Sequence, residues 1–496
     1  MRGRSAFSQG NRAGETESHK GPGTGGPLTV LAEAPAFVLL AGCGVLLYSL
    51  ELGMPAWKAC STGILVMGFL AFSGTIAPCP RLAGMLIFLT GVFISFSVTA
   101  AARLDKPVSD AVVPRLETMG TVISERAWGS RRALVIKTGE GVFCCKLPAT
   151  GLFREGDRVA LAGRVRFFEP APDSGKFEEQ TYWRARGVLG EVQDPKIQKR
   201  GRYRWSFPTW RDILKERILL NVPRNTRGYI LAAWLGNRDP DLAEEHRKWG
   251  TSHILAISGF HVGIVALCLR KIARRRVLVP SIFMWGYVLL SGGAASALRA
   301  ALMFQIAFAG DLLGRPVRSL NAVSAAAVVM LFWSPWWFWD LGWRLSVTAA
   351  IVLGSFASRR KTKYFRFAIP LVWYVTGAFI SRSFGSVPVA GMVMNIFVVP
   401  LFGLLLPVLS VLVLPMLLEV PGSGIPAWAM EFVLQSFHGC AKAVSLVIPL
   451  EAGAGFFPAG VVCALLVFLS LSGSGIKMAR SAVAGALAGT FAALYV

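Results

Sequence analysis

The chain has 496 residues, 54% of them hydrophobic and 16% charged, with 52 Lys and Arg against 28 Asp and Glu for a formal net charge of +24. So low a charged fraction, with a mean hydropathy of +0.53, excludes a disordered chain and an ordinary soluble enzyme of this length. The class that remains is a polytopic membrane protein, whose positive excess either sets orientation at cytoplasmic membrane edges or serves an anionic partner.

In chain order, residues 1–33 are rich in Gly, Ser, Arg and Pro and read as a disordered basic cytoplasmic tail carrying Arg2, Arg4, Arg12 and Lys20. Apolar runs at 35–53, 57–77 and 82–101 follow, each near the ~20 residues a helix needs to cross hydrocarbon, so 34–103 reads as three transmembrane helices. Three crossings from a cytoplasmic start place residues 104–198 outside. There RALVIKT (132–138) alternates, GEG (139–141) signals a turn, VFCCKLP (142–148) resumes, and GDRVALAGRVRFF (156–168) reads as turn and strand. This is a small extracytoplasmic β domain, in which Cys144 and Cys145 are expected on opposite faces of one strand.

Residues 205–250 read as amphipathic, interfacial helices, with WRDILKERILLNV (210–222) setting an apolar face against a charged one. Candidate spans then fall near 252–269, 277–293, 297–313, 319–335, 343–358, 366–382, 387–418, 427–448, 456–472 and 479–495. The 387–418 run reads either as one span with a re-entrant piece or as two short spans. Basic clusters at 270–276, 315–318 and 359–366 all land on the cytoplasmic side of this map, which accounts for much of the net charge. The Trp cluster at 333–343 falls at an outer edge and reads as an interfacial belt in preference to a stacking platform for bases. The eight Cys are scattered, and the five His form no metal-binding spacing, so neither a metal nor a cofactor is expected.

The stretch HILAISGFHVGIVA (253–266), which also holds Ser258 and Gly259, puts His253 and His261 about 80° apart on a regular helix, so that both can face one cavity. Imidazoles inside a span mark either a functional site or bundle-locking hydrogen bonds. This run resembles the signature of the ComEC competence family. GGAASALRAALMFQIAFAGDLLGRPVRSLN (292–321), the DLGWRLS turn (340–346) and EPAPDSGKFEEQTYWRARGVLGEV (169–192) are similar to further blocks of that family, in the same order. The resemblance implies a multi-pass channel in the bacterial inner membrane that takes up single-stranded DNA in natural transformation, with an external OB-type domain. The expected fold class is thus a polytopic α-helical membrane protein with an inserted OB-type β domain, divided into the tail, the three helices, the 104–198 domain, the 205–250 helices, a channel domain at 251–475 and a last helix at 476–496.

Carried over by the resemblance, channel or gate positions are His253, Ser258, Gly259, His261, Arg299, Asn321, Asp340 and Ser346, with Gly314, Arg315, Gly342 and Leu345 also matching. Arg344 stands where the family usually has Gln, four residues after Asp340 and suited on a helix to an ion pair with it. Family members often carry a metallo-β-lactamase-like domain with an HxHxDH motif; this sequence has no such motif, so no catalysis is expected and a separately encoded nuclease becomes an expected partner beside DNA and the lipid bilayer. Basic residues interleaved with aromatics fit single-stranded nucleic acid. Arg164 and Arg166 qualify, and Arg184 and Arg186, expected on one face of a strand, more so; Phe167 and Phe168 are expected inside the barrel. Arg299, a cation within an apolar span, is expected to face the cavity or an acid such as Asp311 or Asp340. Alternative readings are a transporter of another anionic solute, a degenerate paralogue, or, least favoured, a membrane-bound hydrolase.

Overall fold

The computed structural model describes residues 34–72, 80–104, 115–148, 153–168, 177–255, 262–263, 278–315, 317–357 and 368–453. Three apolar helices come first: α1 (Pro35–Glu51), α2 (Ala56–Phe72) and α3 (Pro80–Leu104). A barrel follows, built from β1 (Arg115–Trp128), β2 (Arg131–Thr138), β3 (Val142–Pro148), β4 (Asp157–Phe167) and β5 (Gly190–Arg202), with the short helix α4 (Glu179–Ala185) between the last two strands. The strand order β1-β2-β3-β5-β4 closes on itself, and only β3 and β5 run parallel. Closure removes the sheet edges, and the architecture is OB-like.

Strand alternation gives the barrel two apolar clusters. Leu134, Ile136, Phe143, Cys145, Val159, Leu161 and Val192 fill the interior. Cys144 points the other way, with Ala133, Phe168 and Trp183, into a second cluster roofed by α4. Burial, with help from the Glu191 carboxylate, pushes the Cys144 thiol up to about 12, so it behaves as a small apolar group. Gly190 is required where β5 meets β4, because a Cβ there would stand 2.5 Å from the Arg166 carbonyl oxygen.

After the barrel come α5 (Phe207–Asn221), α6 (Arg224–Ile230), which continues as a π turn over Leu231–Leu235, and α7 (Pro240–Lys248). Ser206 accepts from the Thr209 amide to start α5, and Asp239 accepts from the Asp241 and Leu242 amides to start α7. The remaining helices are α8 (Leu278–Leu290), α9 (Ala295–Leu312), α10 (Ser319–Trp333), α11 (Leu341–Ala357), α12 (Ala368–Phe384), α13 (Ala390–Leu417) and α14 (Gly424–Val447). A 3-10 turn at Pro335–Trp339 joins α10 to α11, and β6 (Ser386–Pro388) pairs with β7 (Glu451–Gly453). The chain is therefore mostly helical around one small barrel. The 387–418 run is a single helix that tolerates Pro400, Pro407 and Pro415 in its interior. Among the described residues two helices have the length and apolar character to cross a membrane, Ala83–Leu104 within α3 and Ala390–Leu417. The expected spans 456–472 and 479–495 and the basic clusters 270–276 and 359–366 lie outside the described residues.

Two helical layers flank the barrel's seat. One joins α1, α2 and α3 to α10, α11 and the 3-10 turn through Leu46, Met67, Phe93, Phe96, Leu331 and Trp337. The other joins α5, α6 and α7 to α13 and α14 through Tyr229, Trp249, Phe402, Leu409 and Leu434. The barrel is bolted down by α5: Arg202 meets Asp212 at 2.6 Å, Arg211 meets Glu155 at 3.5 Å, Lys215 meets Glu125 at 3.4 Å, and Arg132 also pairs with Glu125.

Candidate nucleic-acid interface

Residues 179–185 form a helix, where a strand was expected for Arg184 and Arg186. Helix α4 carries Glu179 in its first turn and Arg184 in its last, and stops at Gly187, whose φ of +78° suits a residue without a Cβ. This turns Arg184 and Arg186 away from the barrel wall and onto the 3-10 turn.

Arg186 Nη1 donates to Asp340 Oδ1 at 2.8 Å and to the Tyr182 carbonyl at 2.7 Å, with its guanidinium 3.6 Å from the Tyr182 ring centroid. Burial opposes its charge, but the Asp340 carboxylate and the Tyr182 hydroxyl outweigh that and hold its pKa above the ordinary arginine value. Asp340, 3% exposed, also accepts from the Trp343 amide at 2.9 Å, capping α11. Asp340 thus takes its cation from the barrel. Arg344, expected to pair with it, donates instead from Nε to the Phe338 carbonyl at 2.7 Å. Arg126 donates to the Tyr182 hydroxyl at 2.7 Å. Burial works to raise that phenol's pKa, and the Arg186 and Arg126 guanidiniums bring it below its ordinary value.

Beside this clamp lies a cavity of about 480 Å³ between α4, the Gly292–Gly293 turn, the 3-10 turn and the end of α3. Arg103, Arg184, Arg186, Trp333, Trp336 and Trp337 line it, and among the described residues no Asp or Glu does. Arg103 donates to the carbonyls of Phe332, at 2.7 Å, and Trp333. Arg184 stands 5.0 Å over the Trp336 ring, its Nε without a hydrogen-bond partner. Burial lowers its pKa and no carboxylate restores it. The Trp337 indole N–H, on a side chain 4% exposed, is also unpartnered. Concentrated guanidinium charge beside indole faces is what a phosphodiester carrying an unstacked base requires.

Comparisons with known proteins place part of the chain in a family. Residues 235–479 match the Competence protein family. They form a competence-family domain. Over 146 residues the chain is 34% identical to ComE operon protein 3 of Bacillus subtilis (strain 168), an alignment that covers 27% of this chain and 19% of that protein. The chain therefore matches about a fifth of that relative's length. No solved structure matches it.

Within the competence domain, the structure places the residues singled out in the sequence as follows. Asn321 Oδ1 accepts from the Ala36 amide at 2.9 Å, supplying α1 with an N-terminal acceptor that its own sequence lacks. Arg299 lies 7% exposed on α9 among Ala297, Ala300 and Ala301, its Nε unpartnered. Neither suggested acid serves it: Asp340 is taken by Arg186, and Asp311 lies 12 residues along the same helix, roughly 18 Å away. Ser346 is half-buried on α11, and His253 is exposed just beyond Gly250. Ser258, Gly259 and His261 lie outside the described residues. Arg164 and Arg166 stand exposed on the outer face of β4, opposite Gln193 and Glu191 of β5, with Arg164 also facing Arg115 of β1. Phe168 is buried and Phe167 packs on the barrel interior. Trp336, Trp337 and Trp343 are buried, so the expected aromatic belt is largely the seat for α4, with Trp333 alone of these four exposed.

One polar cluster escaped the sequence reading. Tyr229 Oη lies 2.8 Å from both His246 Nε2 and His438 Nε2, and His246 Nδ1 lies 2.8 Å from Thr251 Oγ1. Glu431 of α14 accepts from the Asn225 and Thr226 amides, capping α6 from outside. These partners are up to 209 residues apart, and no short spacing connects them.

Proposed function

We propose that the protein is a membrane-embedded channel that takes up single-stranded DNA in natural transformation, with the barrel on the outer face of the bacterial inner membrane. The observation that carries this reading is the cavity of three arginines and three tryptophans where the barrel meets the helices, which no described Asp or Glu lines. The competence-family domain names the process, and the cavity gives it a chemistry: guanidiniums take the phosphates and indoles take the bases, without sequence preference. No catalytic step is assigned to the chain; the strand that does not pass would be degraded by a separately encoded nuclease.

The test is a pair of measurements. In lipid nanodiscs the full chain should bind a single-stranded oligonucleotide with a salt slope of about −1.4, the sum of two phosphate contacts from Arg103 and Arg184, Arg186 being paired with Asp340, a loss of about 7-fold between about 50 and 200 mM salt. Cells lacking the gene, and any second homologue, should lose transformation. Unchanged transformation would sink the reading. A cavity of about 480 Å³ is also of a size for a small anionic solute, so inorganic phosphate is the competitor. Displacement of the oligonucleotide by low phosphate would favour a small-anion transporter.

A further inference from the structure

Helices α13 and α14 lie antiparallel, with the Phe402 and Phe437 rings 4.9 Å apart. The C-terminal end of α13 is the barrel end, since Arg217 of α5 donates to the Leu417 carbonyl at 3.3 Å. The chain from Arg238 to Gly250 descends beside α13 away from that end. Arg238 lies within electrostatic reach of Tyr182, Arg126 and Arg186, at the barrel clamp. His246 lies 6.5 Å by ring centroid from Phe402, the thirteenth of the 28 residues of α13 and hence its middle. Gly250, at φ +68°, abuts Gly391, the second residue of α13, so closely that a Cβ would stand 2.8 Å from the Gly391 Cα.

This descending segment is the nine-residue helix α7, broken from its neighbours at Gly236 and Gly250. One face is buried by Leu242, His246 and Trp249, where the Tyr229–His246–His438 contacts satisfy the polar atoms. The opposite face exposes Asp241, Glu244, Glu245, Arg247 and Lys248. Beside it α13 exposes Phe397, Leu401, Leu404 and Val408. At one depth the molecule thus presents an apolar surface on one helix and five ionised side chains on its neighbour. A short, interrupted, charged helix at membrane depth is tolerated only where it meets water.

We propose that the charged face of α7 lines a water-filled passage for hydrated, polar solute, running from the cavity under the barrel to the turn at Gly250. The proposal rests on the uptake reading for the placement of α13 in the bilayer, and adds which surface of the protein is wet at that depth. The Glu244–Arg247 contact at 2.8 Å and the Glu244–Lys248 contact at 3.9 Å keep the wall close to neutral, so it would neither hold nor repel a passing phosphate strongly.

The test is thiol accessibility in proteoliposomes, read peptide by peptide by mass spectrometry so that the native cysteines remain. Lys248→Cys and Glu244→Cys replace exposed side chains, and Leu404→Cys is the apolar reference, two residues from Phe402. Arg131→Cys, on the barrel surface, is the fully wet reference. With a charged, membrane-impermeant reagent, the two α7 thiols should react within about tenfold of Arg131→Cys and Leu404→Cys about 100-fold more slowly, because the thiolate that reacts forms only in water. Any variant whose gel-filtration profile departs from the parent's is replaced by Asp241→Cys. If the α7 thiols are as slow as Leu404→Cys, the passage is refuted while the uptake reading stands. If Leu404→Cys is as fast as the barrel reference, α13 is not in lipid, and the membrane reading falls with the passage.

Discussion

On its α5 side the barrel meets the helices through Arg211–Glu155, Lys215–Glu125 and Arg202–Asp212, one carboxylate to each cation, while Arg132 also pairs with Glu125 inside the barrel. On its α4 side it meets them through Arg184, Arg186 and the nearby Arg103, where Asp340 is the sole carboxylate paired with any of the three among the described residues, and Arg186 takes it. Similar arginine density therefore has two consequences. Where each cation is matched, the charges locate one surface on another. Burial still raises the Glu155 carboxyl's pKa, although Arg211 and Lys215 pull it down, so the α5 contacts are better at fixing register than at adding stability. Where cations outnumber acids beside an open cavity, the surplus is left for a ligand. The surplus side is the candidate site and the matched side is its mount.

The comparison breaks most sharply at Arg211. Arg211→Leu strips the cation from Glu155, whose side chain is 3% exposed, and removes the bond to the Leu235 carbonyl at 3.0 Å. Unmatching a buried pair costs about 3–5 kcal/mol, readable as a lowered unfolding midpoint in detergent or nanodiscs. The pH dependence has a definite sign. Burial holds the folded-state pKa of Glu155 above its unfolded value, and more so without Arg211. The folded form then binds the proton more tightly, so the deficit is largest at high pH and shrinks as pH falls toward the ordinary carboxylate range. Oligonucleotide affinity of the folded fraction should stay within about twofold, since Arg211 is not itself among the residues that line the cavity. A large loss of affinity would mean that mount and site are one unit.

Next in size is Arg184→Ala. Arg184 has no carboxylate partner and an idle Nε, so its removal should change stability by less than about 1 kcal/mol. Oligonucleotide affinity should fall about 10-fold, and the salt slope should flatten by about 0.7, the share of one phosphate on a single strand. A fall in affinity with no change of slope would place Arg184 against a base and not a phosphate, and would reassign Trp336 beneath it as the stacking partner. A variant that unfolds would put Arg184 with the mount.

The sequence carried the barrel and the helix positions because both are written in local periodicity: alternation from RALVIKT to RVRFF, and apolar runs of near-membrane length. It misread EQTYWRA because seven residues are too few to separate a helix from an alternating strand, and Thr181, Trp183 and Ala185 are buried in either register. The Trp run looked like a lipid belt because burial under another domain and burial in a membrane interface select the same residue. Only the contact with α4, roughly 150 residues away in sequence, distinguishes them. Asn321 and the Tyr229–His246–His438 cluster were illegible for a related reason. Their partners come from remote helices, and a lone polar residue in an apolar run looks the same whether it caps a helix or lines a pore.

The smallest effect is expected where the sequence first offered DNA contacts, on β4. Arg164 and Arg166 are exposed on the outer barrel face, and the carboxylate of Glu191 opposite Arg166 is engaged by Lys146 at 3.1 Å. Exposed cations on an open surface attract an anionic polymer from a distance but hold it weakly, because salt screens them beyond about 10 Å at ~0.1 M. The double variant Arg164→Ala, Arg166→Ala should therefore slow oligonucleotide association about threefold at low salt and leave its dissociation unchanged, the signature of steering as opposed to binding. At physiological salt the difference should nearly vanish. Stopped-flow association at two ionic strengths reads both quantities. If dissociation accelerates as much as it does in Arg184→Ala, the strand wraps the barrel before it reaches the junction, and the interface extends over β4 and β5 instead of being concentrated under α4.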